Sequence, residues 1–265
     1  MPPADVVEMV ALLGAALAPA ALRLGATGFC PIGASTACYL GLIMSRLISV
    51  SVAPIACTVL ALPAGATAEI QLLRVGGWHG DQVGSTTPDG WHCLIRTAVA
   101  FELRPCTIEV TTFFDTVVGS NTGKKVSVPG LEDVVFLLRG LEGIAPGPVL
   151  AVFAGHYPFA RGATLPLGDE MQRSFLTAEP AGRGFDVVLS EAGVRQVVAR
   201  GLGLDSGDAS PALLWAGDLD RDGRLDFLLD ATDHNNVTNW VLFLSGGAAE
   251  GELVRRAAVF RTTGC

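Results

Sequence analysis

The run Asp218-Leu219-Asp220-Arg221-Asp222-Gly223-Arg224-Leu225-Asp226 sets four carboxylates into one short acidic loop. Calcium takes about six to eight oxygen ligands at roughly 2.3–2.6 Å, and carboxylates at alternate positions of a tight turn supply them. Asp218, Asp220 and Asp222 fill positions one, three and five of such a loop. Gly223, at position six, lets the backbone turn sharply with φ > 0. Arg224 at position seven would offer its backbone carbonyl while its side chain points to water, and Asp226 at position nine closes the set. Arg221 and Arg224 offset part of the acidic charge, but four ordered carboxylates without a cation would repel one another. The expected cofactor is therefore calcium, on Asp218, Asp220, Asp222, Arg224 and Asp226. An EF-hand would carry a bidentate Glu at position twelve; Leu229 stands there and excludes that motif.

The loop needs two elements to hold it. Residues 212–216, Ala-Leu-Leu-Trp-Ala, lead in, and residues 225–229, Leu-Asp-Phe-Leu-Leu, lead out. Both are short apolar runs of strand length. A strand–loop–strand unit reading Asp-x-Asp-x-Asp-Gly-x-x-Asp resembles the FG-GAP and VCBS repeats of bacterial surface proteins and integrin propellers. That resemblance implies a loop that joins two antiparallel strands and binds calcium structurally. It covers about Leu213 to Ser245, roughly one repeat length. No second copy occurs, so a propeller of such repeats is not expected. The chain is also similar to exported bacterial proteins that carry one such loop near their C-terminus, a likeness that implies no particular activity.

Other chemistry is less well supported. Asp233-His234 follows the loop, and its expected role is a turn residue beside a hydrogen-bonded His rather than an acid/base pair. His79 and His92 each adjoin a Trp, an arrangement found in some glycan-binding surfaces, although Trp78 and Trp91 also suit a hairpin core. None of His79, His92, His156 and His234 has metal-ligand spacing. There is no Gly-x-Ser-x-Gly elbow. Residues 119–125, Gly-Ser-Asn-Thr-Gly-Lys-Lys, fail as a phosphate loop, because the glycines are too close and Lys125 stands where a Ser or Thr is required. Glu132, Asp133, Glu142, Asp169 and Glu170 are candidate acids with nothing to single out a pair. Asn236-Val237-Thr238 matches a glycosylation sequon.

The first quarter of the chain reads differently from the rest. Residues 1–68 carry only Asp5, Glu8, Arg23 and Arg46 as charges. From Met44, Arg46 forms a positive n-region, Leu47 to Leu62 an apolar h-region and Ala66-Thr67-Ala68 a small-x-small cleavage site. We expect residues 1–43 to be an upstream extension, 44–68 a signal peptide and the mature chain to start at Glu69. Membrane helices near residues 6–22 and 47–64 are the rival reading, but each run falls short of the roughly 20 residues that span a bilayer. A lipoprotein reading at Cys57 suffers from Pro54, which stands where Leu is expected. With Cys30, Cys38 and Cys57 in the discarded part, Cys93, Cys106 and Cys265 allow three single pairings. Cys93 and Cys106 flank an expected hairpin. No Cys-x-x-Cys occurs, which argues against zinc and dithiol chemistry.

The mature chain punctuates short apolar runs with turns. Ile70–Arg74, Trp91–Ile95, Phe101–Val110, Glu132–Gly140 and Val149–Gly155 read as extended. Residues 115–129 read as a loop and short hairpin turning at Asn121-Thr122-Gly123. Phe185–Ser190 and Val194–Ala199 form a hairpin across Glu191-Ala192-Gly193, and Asn239–Ser245 pairs with Glu252–Val259 across Gly246-Gly247. The expected fold is mainly β, an antiparallel sandwich or barrel-like domain. A short helix over residues 191–200 would make it α+β. We expect a β-rich region over 69–200 and the calcium-loop hairpins of 201–265 packed on the same domain.

A formal charge of −8 makes nucleic acid an unsuitable partner. The expected function is an exported domain, periplasmic or secreted, with one structural calcium loop and a binding or structural role. A cell-envelope or glycan partner suits that role, and no stable membrane span is expected once the signal is removed. The alternative is a secreted hydrolase or carbohydrate-active protein that uses calcium only as support.

Overall fold

The computed structural model describes residues 69–98, 100–168, 174–203, 211–232 and 236–263. The expected signal peptide and upstream extension lie outside them, as do Cys30, Cys38, Cys57 and Cys265. So do Asp169, Glu170, the acidic stretch Asp205 to Asp208, Asp233 and His234. The described residues form strands and no helix, so the fold is mainly β, and the α+β alternative for 191–200 is corrected. There Ala192 and Gly193 both take φ > 0 (48° and 84°), closing a two-residue turn of the kind that suits a right-twisted hairpin.

In chain order the strands begin with β1 (Gln71–Leu73), β2 (Gly76–Trp78), β3 (Trp91–Arg96), β4 (Phe101–Cys106) and β5 (Glu109–Asp115). Next come β6 (Ser120–Ser127), β7 (Val134–Arg139), β8 (Gly147–Pro158), β9 (Thr164–Leu167), β10 (Ser174–Ala181) and β11 (Gly184–Glu191). The last are β12 (Val194–Leu202), β13 (Ala212–Asp218), β14 (Asp226–Asp230), β15 (Val237–Leu244) and β16 (Arg255–Thr263). Nine of them make one antiparallel sheet in the order β1-β7-β3-β4-β8-β13-β14-β15-β16. It curls until β1 lies beside β16, a nearly closed barrel. Smaller sheets run β12-β11-β10-β9 and β2-β6-β5.

The apolar runs around the acidic loop lack strict alternation, and the packing explains why. Strands buried on both faces need apolar residues at every position. Inside the barrel, Trp215, Leu228, Trp240 and Leu242 join Leu94, Leu103 and Phe136, with Phe136 and Trp215 meeting edge-on at 6.0 Å. On the outer face, Leu213, Phe227, Leu229, Val241 and Phe243 pack against Leu176, Val187 and Leu189 of the four-stranded sheet. Each fully buried Phe or Leu stabilises the fold by about 1.5–3 kcal/mol. A bulge between Leu213 and Trp215 lets consecutive residues serve both cores, since it resets which face the side chains reach.

The barrel closes through side chains. Among the described residues no ladder joins β1 to β16. Instead the Arg74 guanidinium lies over Trp240 at 4.6 Å, and Trp78 meets Phe260 edge-on at 5.1 Å. The Gln82 amide donates to the Thr263 carbonyl at 2.8 Å. Cys93 and Cys106 are bridged across the β3–β4 hairpin, with Cα atoms 5.9 Å apart.

Two turn expectations need correction. Asn121-Thr122-Gly123 lies within β6; the chain reverses at 115–119, where Asp115 Oδ1 accepts the Val117 and Val118 N–H groups and Gly119 takes φ 71°. The extended run 101–110 is two strands, broken at Thr107-Ile108. Ile108 turns into the barrel core there.

Candidate functional site

The acidic loop sits where β13 ends and β14 begins, and the antiparallel pairing of those strands brings its ends together. Oxygens of Asp218, Asp220 and Asp222 lie within 4.8 Å of one another. The backbone arranges them. The Asp222 N–H donates to Asp220 Oδ1 at 3.3 Å, the Gly223 N–H to Asp218 Oδ2 at 3.1 Å and the Arg224 N–H to Asp222 Oδ1 at 2.9 Å. Gly223 takes φ 79°, as position six requires, and Arg221 is also left-handed at φ 63°. Asp218 Oδ1 is buried without a hydrogen-bond partner among the described residues.

Asp226 lies beneath the triad and is fully buried. Its Oδ2 accepts the Leu219 and Asp220 N–H groups at 2.7 and 3.3 Å, and its Oδ1 accepts the Ser245 N–H at 2.8 Å. The Ser245 hydroxyl stands 2.9 Å from both Asp222 oxygens and 3.0 Å from Asp226 Oδ1. One hydroxyl proton thus serves two carboxylates. Gly246 comes so close that a Cβ there would fall 2.2 Å from Asp220 Oδ2. Ser245 and Gly246 therefore belong to the site. In the sequence Ser245 reads only as a strand end and Gly246 as a hairpin turn residue, and nothing local announces that Ser245 meets Asp222 and Asp226 or that Gly246 meets Asp220.

The electrostatics follow from this crowding. Burial, then the charge of Asp222, raises the Asp220 carboxyl above its ordinary value. Burial, opposed by the Ser245 N–H, pushes Asp226 up to about 7. In both, burial and neighbouring carboxylates disfavour the charged form. The donor set is all oxygen and anionic, which suits a hard divalent cation. Arg224 departs from expectation in one respect. Its guanidinium donates to the Leu253 carbonyl at 2.9 Å instead of pointing to water, tying the loop to the β15–β16 connection.

A second polar constellation lies at the opposite end of β15, eight residues and roughly 25 Å of strand away. His79 Nδ1 is hydrogen-bonded to Asp115 Oδ2. Asp115 is 3% exposed, and the bond from His79 holds its carboxyl below the usual carboxylate range. The pair lines a groove of about 330 Å³ with Trp78, Phe113 and Thr238. His79 and Asp115 are 36 residues apart, and no periodicity links them. His92 lines a separate concavity with Arg104, and burial lowers its pKa. Neither concavity contains two carboxylates. Glu132, Asp133 and Glu142 are all exposed. No family model, curated protein or solved structure matches the chain.

Proposed function

We propose that this chain is an exported β-domain, periplasmic or secreted, in which one calcium ion locks the Asp218–Asp226 loop to the β15–β16 connection. Its role is binding or structural rather than catalytic. The observation that carries this reading is the cluster of Asp218, Asp220 and Asp222 oxygens, with Asp218 Oδ1 buried and unpartnered. In this reading the three carboxylates and the Arg224 carbonyl hold the ion, and Asp226 completes the set from below. The loop is of FG-GAP/VCBS type, present in a single copy.

The ion would supply positive charge beside Asp220 and Asp226. Because the unfolded chain has no preformed site, its binding free energy would add to folding stability. The Cys93–Cys106 bridge supports an oxidising compartment, where disulfides persist. A cell-envelope or glycan partner fits an exported domain of this kind. The hydrolase alternative draws no support from Glu132, Asp133 or Glu142, none of which lines either concavity described above.

Thermal unfolding in calcium and in chelator tests the reading. Calcium at about a hundred times its dissociation constant adds about 2.7 kcal/mol. For a domain of this size that raises the midpoint by roughly 5–10 °C. Asp220→Ala combined with Asp222→Ala should abolish the increase. A wild-type midpoint that does not respond to chelator refutes the structural calcium site.

A further inference from the structure

We propose that the groove between β2, the β5–β6 turn and the ends of β15 and β16 binds a neutral saccharide. His79 would be its oriented hydrogen-bonding residue and Phe113 its stacking face. The proposal gives a ligand class to the binding role above and rests on that role, but it does not depend on calcium.

The histidine is fixed from three directions. Asp115 Oδ1 is committed to the Val117 and Val118 N–H groups at 3.0 and 3.2 Å, so its Oδ2 is anchored where it meets His79 Nδ1. A Cβ on Gly80 would fall 2.0 Å from the Thr122 carbonyl oxygen, so the turn carrying His79 is seated hard against β6. Gln82 fastens the far end of that turn to Thr263. The carboxylate engages Nδ1, which leaves Nε2 on the other side of the ring for a ligand. Among the described residues Nε2 has no partner. A carboxylate on one ring nitrogen fixes the tautomer and angle at which the other nitrogen meets a ligand, as it does for metal-binding histidines.

A His–Asp pair that only stapled two turns would need no groove beside it. Here Phe113 is 40% exposed, and its ring packs closely against glycines. A Cβ on Gly123 would lie 2.7 Å from the ring, and one on Gly77 would lie 3.4 Å away. The ring thus lies against two glycines and also lines the groove. Thr238 and Thr262 line the same space.

The lining contains no Lys or Arg, and its one carboxylate is already fully engaged. A charged ligand would therefore find no counter-charge. A ring with apolar C–H faces and an edge of hydroxyls matches an aromatic ring beside a fixed imidazole nitrogen and threonines. The volume lies at the small end of ligand sites, which run about 300–1,000 Å³, and suits one or two sugar rings.

The test is a titration of the full chain with neutral disaccharides (maltose, cellobiose, lactose, mannobiose and chitobiose), followed by amide NMR and calorimetry. At least one should shift the Trp78, His79 and Thr238 resonances saturably, in calcium and in chelator alike. His79→Gln and Phe113→Ala should each weaken it about tenfold, as loss of a central contact does. Val152→Ser, on β8 and outside the groove, should leave binding unchanged. Should His79→Gln lose its fold, as read by circular dichroism, the near-isosteric Thr238→Val carries the same expectation. No shift at these residues with any of the five sugars, or binding that ignores the groove variants, overturns the proposal. If calcium still raises the midpoint while no sugar binds, only the saccharide proposal falls. If sugar binds while calcium has no effect, only the calcium clasp falls.

Discussion

In the metal-free protein, Asp226 should make stability fall as pH rises, and Asp226→Asn should remove that dependence. The carboxyl is fully buried, and its folded value of about 7 stands above the ordinary 3.8 of an unfolded chain. A group whose pKa rises on folding contributes stability that is complete below the unfolded value and lost as pH climbs through the folded one. The window here runs from about pH 4 to about pH 7. Three pH units between the two values correspond to roughly 4 kcal/mol, of which roughly 2.5 kcal/mol is lost between about pH 5 and about pH 8. The Asn amide can accept the Leu219 and Asp220 N–H groups but turns its own NH₂ toward the Ser245 N–H. That mismatch should cost about 1–3 kcal/mol at pH 5. Wild type should therefore lead at pH 5, and the gap should close or reverse by pH 8. Urea unfolding in chelator, followed by tryptophan fluorescence, measures both proteins. A gap that stays constant, or that widens with pH, refutes the assignment of this penalty to Asp226. Saturating calcium should flatten the wild-type profile, because the ion favours the ionised carboxylate.

Replacing both Cys93 and Cys106 by Ser opens a loop with a sequence separation of 13 and should lower stability by about 3 kcal/mol in denaturant unfolding. Gly217→Ala should cost about 3 kcal/mol, because its Cβ would fall 2.2 Å from the Leu150 carbonyl oxygen and 2.6 Å from the Trp215 ring, with backbone unable to yield. Gly84→Ala, with open space around it, should change the midpoint free energy by less than about 0.5 kcal/mol.

What could be read from the sequence was whatever is local. The acidic loop and its two flanking strands lie within nineteen consecutive residues, 212–230, and their spacing alone located them. The hairpin at Ala192-Gly193 was legible for the same reason. The 115–119 reversal was not, because its turn is made by the buried Asp115 side chain, while Asn121-Thr122-Gly123 carries turn-forming residues into a strand. The double burial of Phe227 to Leu229 showed only as missing alternation, which cannot say what covers the second face. The partners of Ser245 and His79 eluded sequence reading because they are 19 and 36 residues away. Pairings at that distance depend on strand order, which no short motif encodes.

The seam between β1 and β16 bears on how the molecule forms and opens. Its two sides come from opposite ends of the described chain, so its closure is the most non-local step in the nine-stranded sheet. Contacts of such long sequence separation form slowly. Held by Arg74, Trp78 and Gln82 rather than by a ladder, it is also the place where sub-global opening should start. Amide exchange across Gln71–Trp78 and Arg255–Thr263 would report that breathing directly. The groove straddles the same line, with Trp78 on one bank and Thr262 on the other. A molecule lodged there would act as a suture, slowing exchange on both banks at once.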